Sequence, residues 1–523
     1  MYQFSGKLKM FSIALIILGI LGIGLSFYNA PSTVEEAMEM VSSNDQGDGH
    51  GGGHGNGNVD GDETSHNSTS KDDHSTEVHA TEDTHETSHA TTTKDDHSTN
   101  THKTEDSHGA GHDQESKEDH TTDTHVAVDT HGGNHDDAHA EHVFHQLQNR
   151  PWSAVYVALL FFLGVSLLVL VFYAIQRVAQ AGWSIVLFRV MEAISANLVP
   201  TSIIMLVFIV LTALHSNHLF TWMGEGVFDK ASDNFDPIVY GKRAWLNVPW
   251  WVIRSISYLL IWNAYRLLIR RNSIKEDTIN DGYKLYKKNY NMSVVFLFLF
   301  MITESMAVWD WIMGLDPHWF STLFAWYVLS TLLVSAITVI AFVTIYLRSK
   351  GYLPKVNDSH IHDLAKFMFG FSVFWTYLWF AQFMLIWYAD IPEETTYFVL
   401  RFSEYKTLFL SMLVMNFVFP ILLLINSDFK SRPWFVVIGG VVILAGHYVD
   451  LFIMIMPGTV GGSWSFGIPE ISATCFFLGI FIYTVFSAFA KADPIAKGNP
   501  FLQESEHYHY FNIEHHSEED NQH

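Results

Sequence analysis

Apolar and polar residues occur in long blocks along this chain. Nine apolar runs follow one another between Trp152 and Ala490, and a tenth lies near the N-terminus. Each run has about 20 residues, which is enough for an α-helix to cross the hydrocarbon core of a bilayer. The runs cover residues 10–28, 152–175, 186–214, 248–269, 292–313, 320–347, 364–388, 405–425, 434–456 and 469–490. This pattern predicts an all-α integral membrane protein with about ten transmembrane helices.

The basic residues between the runs predict the orientation. If the N-terminus is inside, every inner segment carries Lys or Arg, most densely in residues 270–288. The short outer loops contain only Lys230, Lys242, Arg243 and Arg401. Because Lys and Arg accumulate on the cytoplasmic side, we expect a bacterial inner-membrane protein with both termini in the cytoplasm. Lys7 and Lys9 precede the first run, which fits either a signal peptide or a retained helix. We favour a retained helix, because the run is long and no A-x-A site follows.

Residues 31–150 differ from the rest of the chain in composition. They hold 27 of the 54 acidic residues and five of the 30 basic ones, and 18 of the 29 histidines lie before residue 146. Such a segment buries too little apolar surface to offset its ordering entropy. We expect a disordered periplasmic segment that is either a solvated acidic tether or a weak site for zinc, copper or nickel. No fixed ligand spacing appears, so we assign no metal ligands.

The chain contains one cysteine, Cys475. A single cysteine cannot form an intrachain disulfide. It is also too few for an iron–sulfur cluster or a C-x-x-C-H haem attachment made by this chain alone. Only His447 lies clearly in the middle of a run, so a bis-histidine haem is not expected either. We therefore expect no covalently bound cofactor and assign no cofactor-binding residues. The expected partners are the lipid bilayer and subunits that carry the redox groups, not nucleic acid.

Several ionisable residues lie within the apolar runs or at their ends, where charge is costly and usually has a function. Glu304 is near the middle of its run, and Asp310 lies further towards the outside. His447 and Asp450 are three residues apart and so share one helix face. His318 follows the turn GLDP at the outer boundary. Such groups form either a proton relay or buried pairs that hold helices in register. We expect the latter for Arg189 and Glu192.

Three stretches resemble the NrfD/PsrC-type membrane subunits of bacterial alternative complex III, and the F subunit most of all. They are VWDWIMGLDPHWFSTLFAWYVLS (308–330), IYLRSKGYL (345–353) and FMFGFSVFWTYLWFAQFMLIWYADIPEE (367–394). The resemblance extends over about residues 150–490 and does not include the His-rich segment. It implies two four-helix bundles, made by spans two to five and six to nine, with flanking helices. The predicted domains are a transmembrane helix at 1–30, the disordered His-rich segment at 31–150, a helical membrane domain at 151–490, which the resemblance identifies as NrfD-like, and a cytoplasmic tail at 491–523.

The resemblance also implies a function. In such complexes a quinol, such as menaquinol, is oxidised near the outer surface, and electrons pass to iron–sulfur and haem c subunits. A homologous NrfD-like subunit looks like the main quinol site, so the F-type chain is a candidate for proton conduction or for a second quinone-like site. The candidate catalytic residues are Asp310, His318 and Glu304, and the candidate proton-path residues are His447, Asp450, Glu304 and Asp310.

Two alternatives to the proton path remain open. In the first alternative, the chain itself oxidises quinol, with Asp310 and His318 as general bases. In the second, the chain is a scaffold without chemistry, and its buried charges are structural. A secondary transporter would contain a pair of Gly/Pro-interrupted spans, and the sequence has no such pair.

Overall fold

The computed structural model describes residues 2–45, 133–279 and 283–510. Within these ranges the regular secondary structure is helical, and ten helices are long and apolar enough to cross a membrane. They are α1 (Gly6–Tyr28), α2 (Gly133–Val178), α3 (Gly182–Ala213), α4 (Val248–Glu276), α5 (Lys284–Leu315), α6 (Phe324–Ser349), α7 (Asp358–Ala389), α8 (Lys406–Leu424), α9 (Pro433–Val460) and α10 (Ile468–Phe489). The predicted multi-pass, all-α membrane fold is confirmed.

Shorter helices connect or follow these spans. They are Val34–Asp45, Thr221–Met223, Pro237–Gly241, Pro392–Ser403, Ser427–Ser431 and Leu502–Glu506. The span predicted at 320–347 begins at Phe324, because the residues before it remain in the turn. That turn packs the Trp319 ring against Tyr397, with ring centroids 4.2 Å apart.

The helices form two groups around a shared centre. Helices α2 to α5 pack on one another, and so do α6 to α9. Helix α2 belongs to the first group but also contacts α6, α9 and α10. Its apolar residues extend around the whole helix, as in Val157–Ala158–Leu159 and Val169–Leu170–Val171, and all of these are buried. A helix that is apolar on every side fits either a protein interior or a lipid-facing span, and contacts with both helix groups place α2 in the interior.

Helix α1 lies against α10 through small residues. A Cβ added at Gly19 would lie 2.5 Å from Cβ of Phe476, and one at Gly22 would lie 2.0 Å from Oγ of Ser472. Small residues let helix backbones approach closely, which gives the packing that holds helices together in lipid. The opposite face of α1 remains exposed and apolar, as expected of a helix that contacts lipid.

The loops fall at two ends of the bundle. Residues 214–247, 316–323, 390–405 and 461–467 meet at one end, which we call the loop end. There the Asn149 amide donates to the His218 carbonyl (3.1 Å), and the Lys242 ammonium donates to the Pro317 carbonyl (2.6 Å). The other end, called the tail end, carries the segment 491–510. The Ser505 hydroxyl donates there to the Trp183 carbonyl (2.7 Å).

The prediction of disorder for residues 31–150 is wrong at both edges of the segment. Val34–Asp45 is helical, and the residues from Gly133 to Arg150 belong to α2. A helix that has nucleated in a buried span adds further turns at little cost. The Arg150 guanidinium also pairs with the Glu470 carboxylate at 3.3 Å, which fixes the start of the apolar part. The prediction for residues 46–132 lies outside the described residues.

Buried ion pairs hold the tail end together. The Arg189 guanidinium donates to the Glu192 carboxylate at 2.7 Å, and Arg270 from α4 donates to the same carboxylate. Arg189 also reaches the carbonyl of Ser273 at 3.1 Å. These contacts tie α3 to α4, so the expected structural pairing of Arg189 with Glu192 is confirmed.

Candidate functional site

The polar centre of the second helix group lies on one face of α9. Gly446, His447 and Asp450 are within about 100° of one another around the helix axis. His447 is completely buried, and neither ring nitrogen has a hydrogen-bond partner among the described residues. Its Nδ1 lies 3.8 Å from Oδ2 of Asp450. The ring meets the edge of Trp375, with centroids 5.4 Å apart. A histidine with two free nitrogens in a membrane interior is costly unless it is used.

Asp450, in contrast, is surrounded by hydrogen-bond donors. The Thr331 hydroxyl donates at 2.7 Å, the Trp375 indole donates at 2.8 Å, and the Tyr327 hydroxyl donates to the other carboxylate oxygen. Tyr327 and Thr331 are four residues apart on α6 and therefore present one face to α9. Three donors from two helices hold this carboxylate in one orientation. The site therefore places a donor-supported carboxylate beside an unbonded imidazole.

Helix α8 adds a second polar group to this face. Its residues Val414–Val418 form a π-turn, and Pro420 follows. Pro420 has no N–H for the carbonyl of Asn416 four residues earlier, which interrupts the α-helical pattern. The Asn416 side chain is fully buried, and its amide has no partner in the described part of the chain. It lies against Gly446, where an added Cβ would come 2.0 Å from its Oδ1. π-turns often occur at functional sites.

Glu304 occupies a separate place between the two helix groups. It is 7% exposed, and its Oε1 has no partner in the ranges described above. It lines a cavity of about 40 Å³ whose other walls are almost entirely apolar. Val328 and Leu451 form part of the wall on the side of α6 and α9. No hydrogen bond joins Glu304 to Asp450 within the described residues, so the two sites are neighbours without a direct link.

Asp310 is fully occupied by other side chains. Both of its carboxylate oxygens accept from Arg254, at 2.6 and 2.8 Å, and Oδ2 also accepts from the Tyr258 hydroxyl at 2.9 Å. The Trp251 indole donates to the Asp310 carbonyl at 3.1 Å. A bidentate pair of this kind fixes geometry as well as charge. This arrangement favours a structural role that locks α5 to α4; a role of Asp310 in proton transfer remains a prediction.

His318 lies apart from Asp310, on the exposed surface of the loop end. Its Nε2 is 2.5 Å from Oδ2 of Asp236. Asp236 also accepts from the backbone N–H groups of Ile238 and Val239 and so caps the short helix Pro237–Gly241. Burial alone would raise the pKa of Asp236. The hydrogen bonds from the Val239 N–H and from His318 have the larger combined effect, so the pKa of Asp236 is lowered. His318 therefore ties two loops of the loop end together, and no contact joins it to Asp310, Glu304 or Asp450 in the described ranges.

Comparison with known proteins gives no family: no family model matches the sequence, and no curated protein matches it. The site must therefore be judged on its own geometry.

Sequence reasoning found His447 and Asp450 but missed the groups around them. Tyr327 and Thr331 did not stand out in the sequence, because tyrosine and threonine are common in transmembrane helices. Their i,i+4 spacing was the available signal. Asn416 carried a clearer signal, since an amide four residues before a proline within an apolar run suggests an interrupted helix. Arg401 was counted only as a basic residue of an outer loop, yet it is buried.

Proposed function

We propose that this chain is a proton-conducting membrane subunit of a quinol-oxidising respiratory complex, similar to the F subunit of alternative complex III. The observation that carries the proposal is the arrangement of His447 and Asp450. Both are buried in the interior of a membrane helix, Nδ1 of the imidazole lies 3.8 Å from the carboxylate, and neither ring nitrogen has a hydrogen-bond partner in the described part of the chain. Proton relays in membranes are built from such Asp, Glu and His groups.

The chemistry of this pair suits proton transfer. A neutral imidazole accepts a proton at one nitrogen and donates one from the other. Asp450 supplies the negative charge that stabilises the imidazolium, while its donors from α6 and α7 keep the carboxylate in position. A side-chain rotation or one bridging water closes the 3.8 Å separation. Glu304, with an unbonded oxygen in an apolar cavity, is a second group able to hold a proton on the side of α5.

The proposal extends to partners and location. With Cys475 as its sole cysteine, this chain relies on other subunits for iron–sulfur and haem c centres, and a homologous NrfD-like subunit contributes the main quinol site, where menaquinol or another quinol is oxidised. The complex lies in a bacterial inner membrane, with the His-rich segment in the periplasm and both termini in the cytoplasm. Oxidation of quinol by this chain itself is less well supported, because Asp310 and His318 have separate partners.

The test measures quinol oxidation and proton movement by the whole purified complex in proteoliposomes. His447→Gln keeps a polar side chain but cannot carry a charge, and Asp450→Asn removes the carboxylate. We expect both to lower the protons moved per electron while the complex stays assembled and electron transfer continues.

Asp310→Asn is the control for disruption of a buried charge elsewhere. It is expected to reduce assembly or stability without changing the protons moved per electron. If the number of protons moved per electron is unchanged in His447→Gln and Asp450→Asn, the proposal fails and the chain is a scaffold subunit. Loss of quinol oxidation in an assembled Asp310→Asn complex would instead indicate a quinol site in this chain.

A further inference from the structure

Two small cavities follow one another between the loop end and Asp450. The first, the loop-end cavity, has a volume of about 40 Å³, and its lining includes Asp316, Trp319, Tyr397, Arg401 and Met454. The second, the Gln382 cavity, has a volume of about 10 Å³, and its lining includes Tyr327, Trp379, Gln382, Tyr397 and Met454. Tyr397 and Met454 line both cavities, so the two cavities are neighbours.

The Gln382 cavity has polar groups without partners. Gln382 is 3% exposed, and neither its amide nitrogen nor its amide oxygen has a hydrogen-bond partner in the described chain. The Trp379 indole N–H, on the same wall, has none either. Ten cubic ångströms is close to the space of one water molecule, and buried waters need two to four polar partners. The amide of Gln382 and the indole of Trp379 supply them.

This cavity reaches the proposed proton site through one side chain. Tyr327 lines the cavity, and its hydroxyl donates to Asp450. The hydroxyl oxygen has lone pairs left to accept from a water. A water held by Gln382 would therefore continue the hydrogen-bonded chain from Asp450 towards the loop end.

Arg401 is the charged group on this path. It is 4% exposed and stacks on the Tyr397 ring at 3.3 Å, and one of its nitrogens donates to the Tyr397 carbonyl at 2.7 Å. Its Nε has no partner, and no carboxylate lies within ion-pair distance of it among the described residues. Asp316 lines the loop-end cavity together with Arg401 but lies beyond ion-pair distance, so the guanidinium is not directly paired, and a buried unpaired charge is costly. A fixed arginine beside a narrow path also repels cations.

We propose that the two cavities form a hydrated route from the loop end to Asp450, in which Gln382 holds the connecting water and Arg401 is a barrier to cations that must pass as whole ions, whereas a proton moves by exchange along hydrogen bonds. The use of this route by protons rests on the proposed function, whereas its hydration does not. Gln382 and Arg401 are accordingly positioning residues: they act through water and through charge on the His447–Asp450 pair.

Thiol accessibility tests the route without any proton measurement. Cys475→Ser gives a chain without cysteine, into which Met454→Cys places one thiol on the shared wall. Ile443→Cys, also buried on α9 but on neither cavity wall, is the matched control. Membrane-impermeant anionic and cationic thiosulfonates are applied to the whole complex in vesicles of each orientation.

We expect Met454→Cys to react from one face only, and at least about tenfold faster with the anionic than with the cationic reagent, because a fixed charge changes local ion concentrations by such factors. Arg401→Gln should remove that preference. A Met454→Cys thiol that reacts no faster than that of Ile443→Cys would overturn the hydrated route. Equal rates for both reagents in the presence of Arg401 would overturn its role as a barrier.

Gln382→Leu then links the route to proton transfer. It fills the cavity with an apolar side chain and should lower the protons moved per electron, while Gln382→Asn, which keeps an amide, should restore most of them. If Met454→Cys is accessible but Gln382→Leu, His447→Gln and Asp450→Asn all leave the stoichiometry unchanged, the route exists and the proposed function fails. If only Gln382→Leu has no effect, protons reach His447 another way and the role of Gln382 is overturned.

Discussion

Replacing Gly446 by alanine should destabilise the protein, although alanine is the better helix former. Gly446 lies on the face of α9 that meets the π-turn of α8. A Cβ there would come 2.0 Å from Oδ1 of Asn416 and 2.8 Å from Cβ of Met415. Both contacts are shorter than van der Waals distances allow. Since Cβ of Met415 is attached directly to its backbone, side-chain rotation alone cannot relieve them, and α8 must move away from α9.

The magnitude follows from two opposing terms. Removing a glycine from a helix interior stabilises by roughly 0.5–1 kcal/mol. Forcing one extra methyl group into a packed interface costs about 1–3 kcal/mol. We expect a net loss of about 1–2 kcal/mol for Gly446→Ala. Gly370→Ala is the matched control, since that glycine lies in α7 and a Cβ there meets nothing within 4 Å. The control should be neutral or gain up to about 1 kcal/mol.

The free energy of unfolding of the full chain in mixed micelles, followed by helical circular dichroism, measures both variants. Asn416→Ala combined with Gly446→Ala should recover part of the loss, because Oδ1 is removed while Met415 remains in place. If Gly446→Ala is as stable as Gly370→Ala, then α8 and α9 are not in close contact at this point. The assignment of Asn416 to the polar face of α9 would then be refuted.

Three further changes test other parts of the fold. Glu192→Gln removes the buried charge between the guanidinium groups of Arg189 and Arg270 and should lower the free energy of unfolding by about 3–5 kcal/mol. Gly22→Leu should detach α1 and abolish cross-linking between α1 and α10, whereas Gly24→Leu, with nothing within 4 Å, should not. The pKa of Asp236 is lowered from 3.8, so its carboxylate stabilises the loop above that pH and loses the effect as pH falls through the lowered value. Asp236→Asn should make residues 214–247 more sensitive to protease at pH 7, with the difference vanishing near the lowered pKa.

The fold could largely be predicted from sequence, because apolar length alone identifies a span. Each of the ten predicted spans falls on one of the ten long helices. The helices α4, α5 and α7 extend beyond the predicted runs by six to eight residues, and α2 extends further, to Gly133, because these polar extensions carry no apolar signal. Periodicity also placed His447 and Asp450 on one face. It could not reveal what faces them, since Tyr327 and Trp375 come from helices that meet α9 only in the folded chain.

The difference between paired and unpaired charges decides which candidate residues merit a functional role. Asp310 and Glu192 each accept from two or more donors that include a guanidinium, so their charges are neutralised locally and their removal is mainly a matter of stability. His447 has no guanidinium partner of this kind, and its ion-pair contact among the described residues is the Asp450 carboxylate at 3.8 Å. Burying an imidazole with only this long contact is costly, and that cost is the physical argument for the role in proton transfer that we propose for α9.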